Sequence, residues 1–134
     1  MKTLLALPLI ALTAGCMAER PMEMSAAAQS QLSEELRGRV QAGPTQSCVS
    51  SRTLGGNESV GEGAIIFRTM GTDLVYVNRP PAGCPEIGPG RAIRVRTTTT
   101  RFCAGDIAEV FDPSTGFSYG ACGLGEFTPY RRQR

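Results

Sequence analysis

From Cys48 onward, apolar residues recur at about every second position, and turn-forming residues interrupt them every ten residues or so. This period favours short, half-buried β-strands over helices. We predict strands over 48–53, 64–68, 74–78, 92–98, 107–111, 117–121 and 125–130, with a glycine-rich loop over 55–63. Six or so short strands with few apolar residues predict a small, partly closed β-barrel or a strongly curled antiparallel sheet.

The predicted core consists of the apolar residues that fall on one face of these strands. They are Val49, Ile65, Phe67, Val75, Val77, Ile93, Val95, Ile107, Val110, Leu124 and Phe127.

The segment over 17–43 has a different period. Leu32, Leu36 and Val40 are spaced by four, which places them on one face of a helix. We predict a short N-terminal helix over about 26–40, stopped by Gly43-Pro44. Two interpretations are open: a tether ahead of the β domain (44–130), or a helix docked on that domain through its leucines. We favour docking for the last two turns and a tether for the rest.

An apolar run of nine residues from Leu4 to Leu12 opens the chain. Spanning a bilayer takes about 20 such residues, so the run fits a secretory signal peptide better. It ends in Leu12-Thr13-Ala14-Gly15-Cys16, which resembles the lipobox of bacterial lipoproteins, although leucine is commoner at the position of Thr13. The resemblance implies a signal peptide over 1–16 and a lipid on Cys16; the alternative is an ordinary signal peptide with a chance cysteine.

A lipid on Cys16 would hold the protein on a membrane, since two or more acyl chains give stable anchoring. We therefore expect the protein to be anchored to a membrane through lipid, with its domain facing the periplasm. Met17 stands where enterobacterial lipoproteins kept at the inner membrane have aspartate, which favours the outer membrane.

Charge and composition narrow the function further. After residue 16 the chain has thirteen arginines against twelve Asp and Glu, which gives no electrostatic reason to expect nucleic acid as a partner. The chain has no histidine, which excludes Ser-His-Asp and Cys-His catalysis and most zinc sites. We predict no cofactor and no metal site.

Four cysteines remain besides Cys16, and an even number in an exported protein predicts two disulfides. They are Cys48, Cys84, Cys103 and Cys122, and they include no C-x-x-C pair. Three connectivities are open. We favour Cys84–Cys103 with Cys48–Cys122, because the latter pair lies near the first and last strands of the predicted β domain.

Four arginines give the strongest hypothesis for binding. Arg91, Arg94, Arg96 and Arg101 accompany a run of threonines over 97–100 and could form a cationic, hydroxyl-rich strip for glycans or anionic lipid. The alternative is a solvated strand face whose threonines serve β-propensity. A basic tail over 131–134 follows the last strand.

Acidic residues suggest less chemistry. Asp106 is either a general acid or, more simply, the acceptor that holds a turn. Asp112, Ser114 and Gly116 resemble the start of a calcium loop, but Gly123 stands where such a loop needs its glutamate, so we predict a turn.

The aromatic residues near strand ends are a further candidate. Tyr76, Tyr119, Tyr130 and Phe127 could line a shallow ligand site or could simply pack in the core.

Segments 43–49, 76–78, 83–84, 102–107 and 120–130 together resemble a family of small cysteine-paired proteins of unknown function from Gram-negative bacteria. Many members of that family carry secretion or lipoprotein signals. The resemblance spans about residues 32–130. It implies a shared fold and export, and it implies no activity.

Three functions follow as hypotheses. The first is a non-enzymatic envelope lipoprotein that binds a protein or an envelope polymer. The second is a periplasmic inhibitor of a cell-wall lytic enzyme, comparable to lysozyme inhibitors, although their inhibitory motif is absent here. The third is a hydrolase that uses Asp106 and Glu109, which a strand would place on opposite faces.

Overall fold

The computed structural model describes residues 22–134. The predicted signal peptide, Cys16 and the tether residues before Met22 lie outside the described residues. The described part contains one α-helix, one 3₁₀ turn (Ser51–Thr53) and ten strands. They are α1 (Ala26–Glu35), β1 (Arg39–Gln41), β2 (Cys48–Ser50), β3 (Leu54–Val60), β4 (Ala64–Thr69), β5 (Val75–Asn78), β6 (Ala92–Arg96), β7 (Arg101–Cys103), β8 (Ile107–Phe111), β9 (Ser118–Gly123) and β10 (Phe127–Arg132).

The strands form three antiparallel units. The large sheet has the order β1-β10-β5-β4-β3, the small sheet has the order β6-β8-β9, and β2 and β7 form a two-stranded ribbon. The prediction of a mainly β fold with a short N-terminal helix is confirmed. The sheets do not close into a barrel.

Strand β4 is the centre of the fold because both of its faces are buried. Ile65 and Phe67 point into the main core, beneath the small sheet and the ribbon. Ala64 and Ile66 point the other way and pack with Leu32 of α1 in a second cluster. The molecule therefore has three layers, with the large sheet in the middle. A strand covered on both faces reads as a continuous apolar run rather than an alternating one.

The helix begins at Ala26, where Ser25 accepts a hydrogen bond from the Ala28 N–H at 3.1 Å. It ends at Glu35, and Gly38 adopts a positive φ of 71° that reverses the chain into β1. The predicted continuation to residue 40 is wrong, since Val40 lies in β1 and is 46% exposed.

Docking of the helix extends further than predicted. Leu32 is buried and Leu36 is partly buried against the same cluster, as predicted for the last turns. However, Ala28 is buried too, and the Met22 N–H donates to the Pro81 carbonyl at 3.2 Å. The interpretation of the earlier residues as a free tether is therefore wrong from Met22 onward.

Strand β3 occupies the segment that we predicted as a loop. It pairs with β4 from Leu54 to Val60, with a register shift next to Gly56. β3 is an edge strand, and edge strands that are irregular and polar avoid pairing with other chains. Its polar, glycine-rich sequence therefore lacks the alternating pattern by which a strand is predicted. The short strand β7 was missed in the same way.

Both disulfides differ from the favoured pairing. The bonds are Cys48–Cys103 and Cys84–Cys122, and not Cys84–Cys103 with Cys48–Cys122. Cys48 and Cys103 are directly opposite each other in the ribbon, with Cα atoms 4.0 Å apart. The missing prediction of β7 explains the error, because Cys103 then had no strand partner.

Most of the predicted core is buried, with two exceptions. Val95 is only partly buried, and Ile107 is 49% exposed. Along β8, Ala108 and Val110 point inward, so Ile107 shares the outer face with Glu109. Predicting both Ile107 and Val110 as core therefore violated the alternation of a strand.

The helix runs along the large sheet and defines its two ends. We call the end beside the start of α1 the near end and the end beside its last residue the far end. At the near end, Ala28 lies against Gly61, and Met22 lies against Gly83 so closely that a Cβ there would overlap its sulfur. At the far end, Glu35 forms a salt bridge with Arg68 at 3.1 Å. The ten residues of α1 separate the ends by about 15 Å.

We predict that replacing Cys48 and Cys103 together by alanine lowers the free energy of unfolding by about 2–4 kcal/mol, because the unfolded chain regains the freedom of a long loop. Urea unfolding measures the loss. Peptide mapping of the unreduced variant should still show Cys84 joined to Cys122. A Cys84–Cys103 peptide in the wild-type protein would contradict the assignment.

Candidate functional site

The predicted arginine strip exists, but its charges are largely taken up within the protein. Arg94 and Arg96 point outward from β6, as the alternation predicts. Both contact Glu109 of β8, with nitrogen–oxygen distances of 3.1 Å and 2.8 Å. Hydrogen bonds from Arg96, Ser118 and Arg94 lower the pKa of Glu109 to about 2. The carboxylate is thus ionised at neutral pH and offsets one of the two charges.

The other two arginines of the strip lie apart. Arg91 forms a salt bridge with Glu86 at 2.8 Å, and its guanidinium carbon lies 3.7 Å from the centre of the Tyr119 ring. Arg101 begins β7 and forms no salt bridge with any residue in the described range.

The threonines next to the strip serve the turn between β6 and β7. The Thr97 hydroxyl accepts from the Thr99 N–H, and the Thr99 hydroxyl accepts from the Arg101 N–H. A depression of about 860 Å³ lies between these threonines, Arg94 and Arg96. Since its arginines already bind a carboxylate and its hydroxyls already bind the backbone, the strip is a weaker anion site than the sequence indicates.

Both aspartates that we weighed hold turns. One oxygen of Asp106 accepts from the Cys103 N–H at 2.8 Å, which confirms the simpler interpretation. Asp112 accepts from the N–H and hydroxyl of Ser114 and from the N–H of Thr115, as the predicted turn requires. Glu109 is bound by arginines, so it and Asp106 do not form a pair of free carboxylates.

The four aromatic residues do not meet in one site. Phe127 is fully buried, and Tyr76 packs on its edge at 6.4 Å between ring centres. Tyr130 belongs to the cluster under α1, while Tyr119 lies on the small sheet. Their main use is packing.

A cleft of about 600 Å³ opens at the near end of the large sheet. Its walls are mostly apolar or backbone, from Val77, Pro81, Ala104 and Leu124. Arg79 and Glu126 are the charged groups along it. The cleft could accommodate apolar groups, but it has few polar side chains that would orient a ligand.

The floor of this cleft depends on one buried polar side chain. Asn78 is completely buried; its amide donates to the Gly125 carbonyl at 2.7 Å and its oxygen accepts from the Gly125 N–H at 2.9 Å. Residue 125 has to be glycine, because a Cβ there would lie 2.0 Å from the Arg79 carbonyl oxygen.

A second group of arginines lies at the far end of the large sheet. We call Arg39, Arg131, Arg132 and Arg134 the far-end cluster; they surround a depression of about 840 Å³ together with the hairpin between β4 and β5. Arg39 donates to the Asp73 carbonyl, and Arg131 lies 3.6 Å from the Asp73 carboxylate.

The far-end cluster is held by backbone pairing and is not a loose tail. Arg131 and Arg132 belong to β10, and the Gln133 N–H donates to the Gly38 carbonyl at 2.9 Å. The predicted tail over 131–134 was therefore wrong for its first half. Arg39 lies directly opposite Arg132 in the β1–β10 pair.

Two like charges directly opposite each other in a sheet destabilise it. Partial burial and the positive charges of Arg132 and Arg68 lower the pKa of Arg39 below its usual value. Asp73 is the acidic residue that lines the depression. This end of the sheet therefore carries an excess of positive charge.

Sequence reasoning missed this cluster for one reason. It assigned Arg39 to the helix predicted over about 26–40, although Arg39 in fact begins β1. The arginines at the end of the chain were the available signal, but only the β1–β10 pairing brings Arg39 to them.

Among residues 22–134, no group of His, Cys, Asp and Glu side chains is arranged to hold a metal ion. In the same range, no helix is long and apolar enough to cross a membrane.

Comparisons with protein-family models, curated proteins and solved structures found no match to this chain.

We predict that Glu109→Gln destabilises the protein at neutral pH, because Arg94 and Arg96 lose their shared carboxylate. The folded-state pKa is depressed, so the stabilisation is full above about pH 4.5 and is lost as the pH falls through about 2. Urea unfolding between pH 7 and pH 2 should show the wild-type and variant curves converging in acid. Glu126→Gln serves as a control; a pH-independent gap for Glu109→Gln would contradict the assignment.

We also predict that Asn78→Ala lowers the free energy of unfolding by about 2–3 kcal/mol or more, since it leaves the buried N–H and carbonyl of Gly125 unsatisfied. Asn57→Ala, on the exposed edge strand, is the matched control and should cost less than about 0.5 kcal/mol. Chemical denaturation measures both. Equal effects of the two substitutions would show that the buried amide has no special role.

Proposed function

We propose that this chain is a cell-envelope lipoprotein, anchored to a membrane by lipid on Cys16, whose β domain works as a non-enzymatic binding module. The feature that carries the proposal is the apolar run that ends in Leu12-Thr13-Ala14-Gly15-Cys16. The chain then docks on the domain at Met22, six residues after Cys16. Six residues span at most about 20 Å. A lipid on Cys16 would therefore hold the near end of the large sheet close to the bilayer.

The contacts around Met22 make this a firm attachment. The Met22 N–H binds the Pro81 carbonyl, and Met24 lies against Gly63, where a Cβ would come within 2.3 Å of its Cγ. Residues 22 and 24 would thus bring the chain that follows Cys16 onto the near end of the large sheet.

Two disulfides support an oxidising compartment, since they persist outside the cytosol. A domain of this size also gains from them, because small cores bury proportionally little surface.

The surface chemistry supports binding over hydrolysis by the pair Asp106 and Glu109. Asp106 is committed to a backbone N–H, and the pKa of Glu109 near 2 leaves it unable to donate a proton at neutral pH.

The test is mass spectrometry of the protein made in a Gram-negative host. We expect the wild-type N-terminal peptide to begin at Cys16 with acyl chains, and the protein to leave the membrane fraction with detergent but not with salt. Cys16→Ser should carry no acyl mass. The double variant Cys48→Ser with Cys103→Ser is the control and should still be acylated. A free thiol at Cys16 in the wild-type protein would overturn the proposal.

A further inference from the structure

We propose that the far-end cluster is a binding site for a phosphate-bearing ligand, held between Arg39 and Arg132. The ligand class follows from the site alone. The inference that this site faces away from the anchoring membrane rests on the proposed lipid anchor.

The first argument is the placement of like charges. Arg39 and Arg132 are direct cross-strand partners, so their side chains leave the same face of the sheet side by side. Within the described residues, no carboxylate lies within salt-bridge distance of Arg132 or Arg134. An anion between the two guanidinium groups would turn an unfavourable pair into a favourable one.

The second argument is that part of the cluster is organised before any ligand arrives. The hairpin between β4 and β5 fixes two of its members, since Asp73 holds Arg39 by its carbonyl and Arg131 by its carboxylate. Backbone pairing of Gln133 with Gly38 fixes the strand that carries the others. The side chains of Arg39 and Arg131 are fixed in this way, and fixed side chains lose less conformational entropy on binding.

The third argument is the chemistry of the groups. Arginine presents a planar fork of N–H donors that matches two oxygens of a phosphate, and it is the usual residue for this task. Thr72 and Gly71 border the same depression, so a small residue lies beside the arginines, while the Thr72 hydroxyl already accepts from the Leu74 N–H within the hairpin. The arginine strip on β6 differs, because Glu109 already occupies the corresponding position between Arg94 and Arg96.

The position of the cluster limits where the ligand comes from. Met22 enters at the near end of the large sheet, and the cluster lies at the other end, about 15 Å away along α1. A domain that is held to a membrane by its near end would present these arginines on the side that faces away from that membrane.

The test is calorimetry with the full chain, purified in a neutral detergent whether or not Cys16 carries lipid. Two probes separate the sources of phosphate: inorganic pyrophosphate for a soluble ligand, and dihexanoylphosphatidylglycerol for a lipid headgroup. We expect saturable binding of pyrophosphate. Because Arg39→Gln with Arg132→Gln removes two charged hydrogen bonds to phosphate, this double variant should weaken binding at least about 100-fold.

The matched control removes two arginines elsewhere. Arg94→Gln with Arg96→Gln should change pyrophosphate affinity less than about threefold. The conservative variant Arg132→Lys keeps the charge without the fork and should give intermediate affinity. Both double variants should keep the wild-type circular dichroism spectrum.

Every outcome decides the proposal. Binding of the short-chain lipid alone, lost in the Arg39 and Arg132 variant, supports the site and assigns it to headgroups. Binding of neither probe, binding kept by that variant, or equal loss in both double variants overturns it. These results do not depend on acylation of Cys16, so they are distinguishable from a failure of the proposed anchor.

Discussion

The structure depends on the buried side-chain amide of Asn78, which forms the two hydrogen bonds that a neighbouring backbone would otherwise form. Asn78 closes β5 and bonds both polar atoms of Gly125, so the chain between β9 and β10 is fixed to the large sheet without being part of it. Hydrogen bonds then continue towards the small sheet and the ribbon. The Leu124 N–H donates to the Asp106 backbone carbonyl, and the Leu124 carbonyl accepts from the Gly105 N–H. Buried polar groups that are fully paired in this way specify one arrangement of the surrounding elements.

This connection explains how so small a core joins the two β layers. Asp106, in turn, accepts from the N–H of Cys103, which is bonded to Cys48 in the ribbon. The large sheet, the small sheet and the ribbon therefore meet around a short path of hydrogen bonds and one covalent bond. The apolar residues fill the space that this path defines, with Phe67 in contact with both Phe102 and Phe127.

The sequence predicts those elements whose pattern is local. β8 matches its predicted bounds, β6 comes close, and the turns at Asp106 and Asp112 follow from side chains that bond nearby backbone. What escapes prediction depends on distant partners. β3 is a strand only because β4 lies beside it, and Arg39 joins an arginine cluster only because β1 pairs with a strand about ninety residues away. Pairing over such distances leaves little trace in a local pattern.

The connectivity of the cysteines has a consequence for how the protein matures. Along the chain the order is Cys48, Cys84, Cys103 and Cys122, and the two bonds interleave, so neither joins cysteines that are neighbours in sequence. A chain that is oxidised while it emerges from its N-terminus first meets the pair Cys48 and Cys84, which is not native. Reaching the native state then requires attack by a thiolate on that first bond through a mixed disulfide. A chain that formed the bond between Cys48 and Cys84 first would accordingly need an isomerase as well as an oxidant to mature.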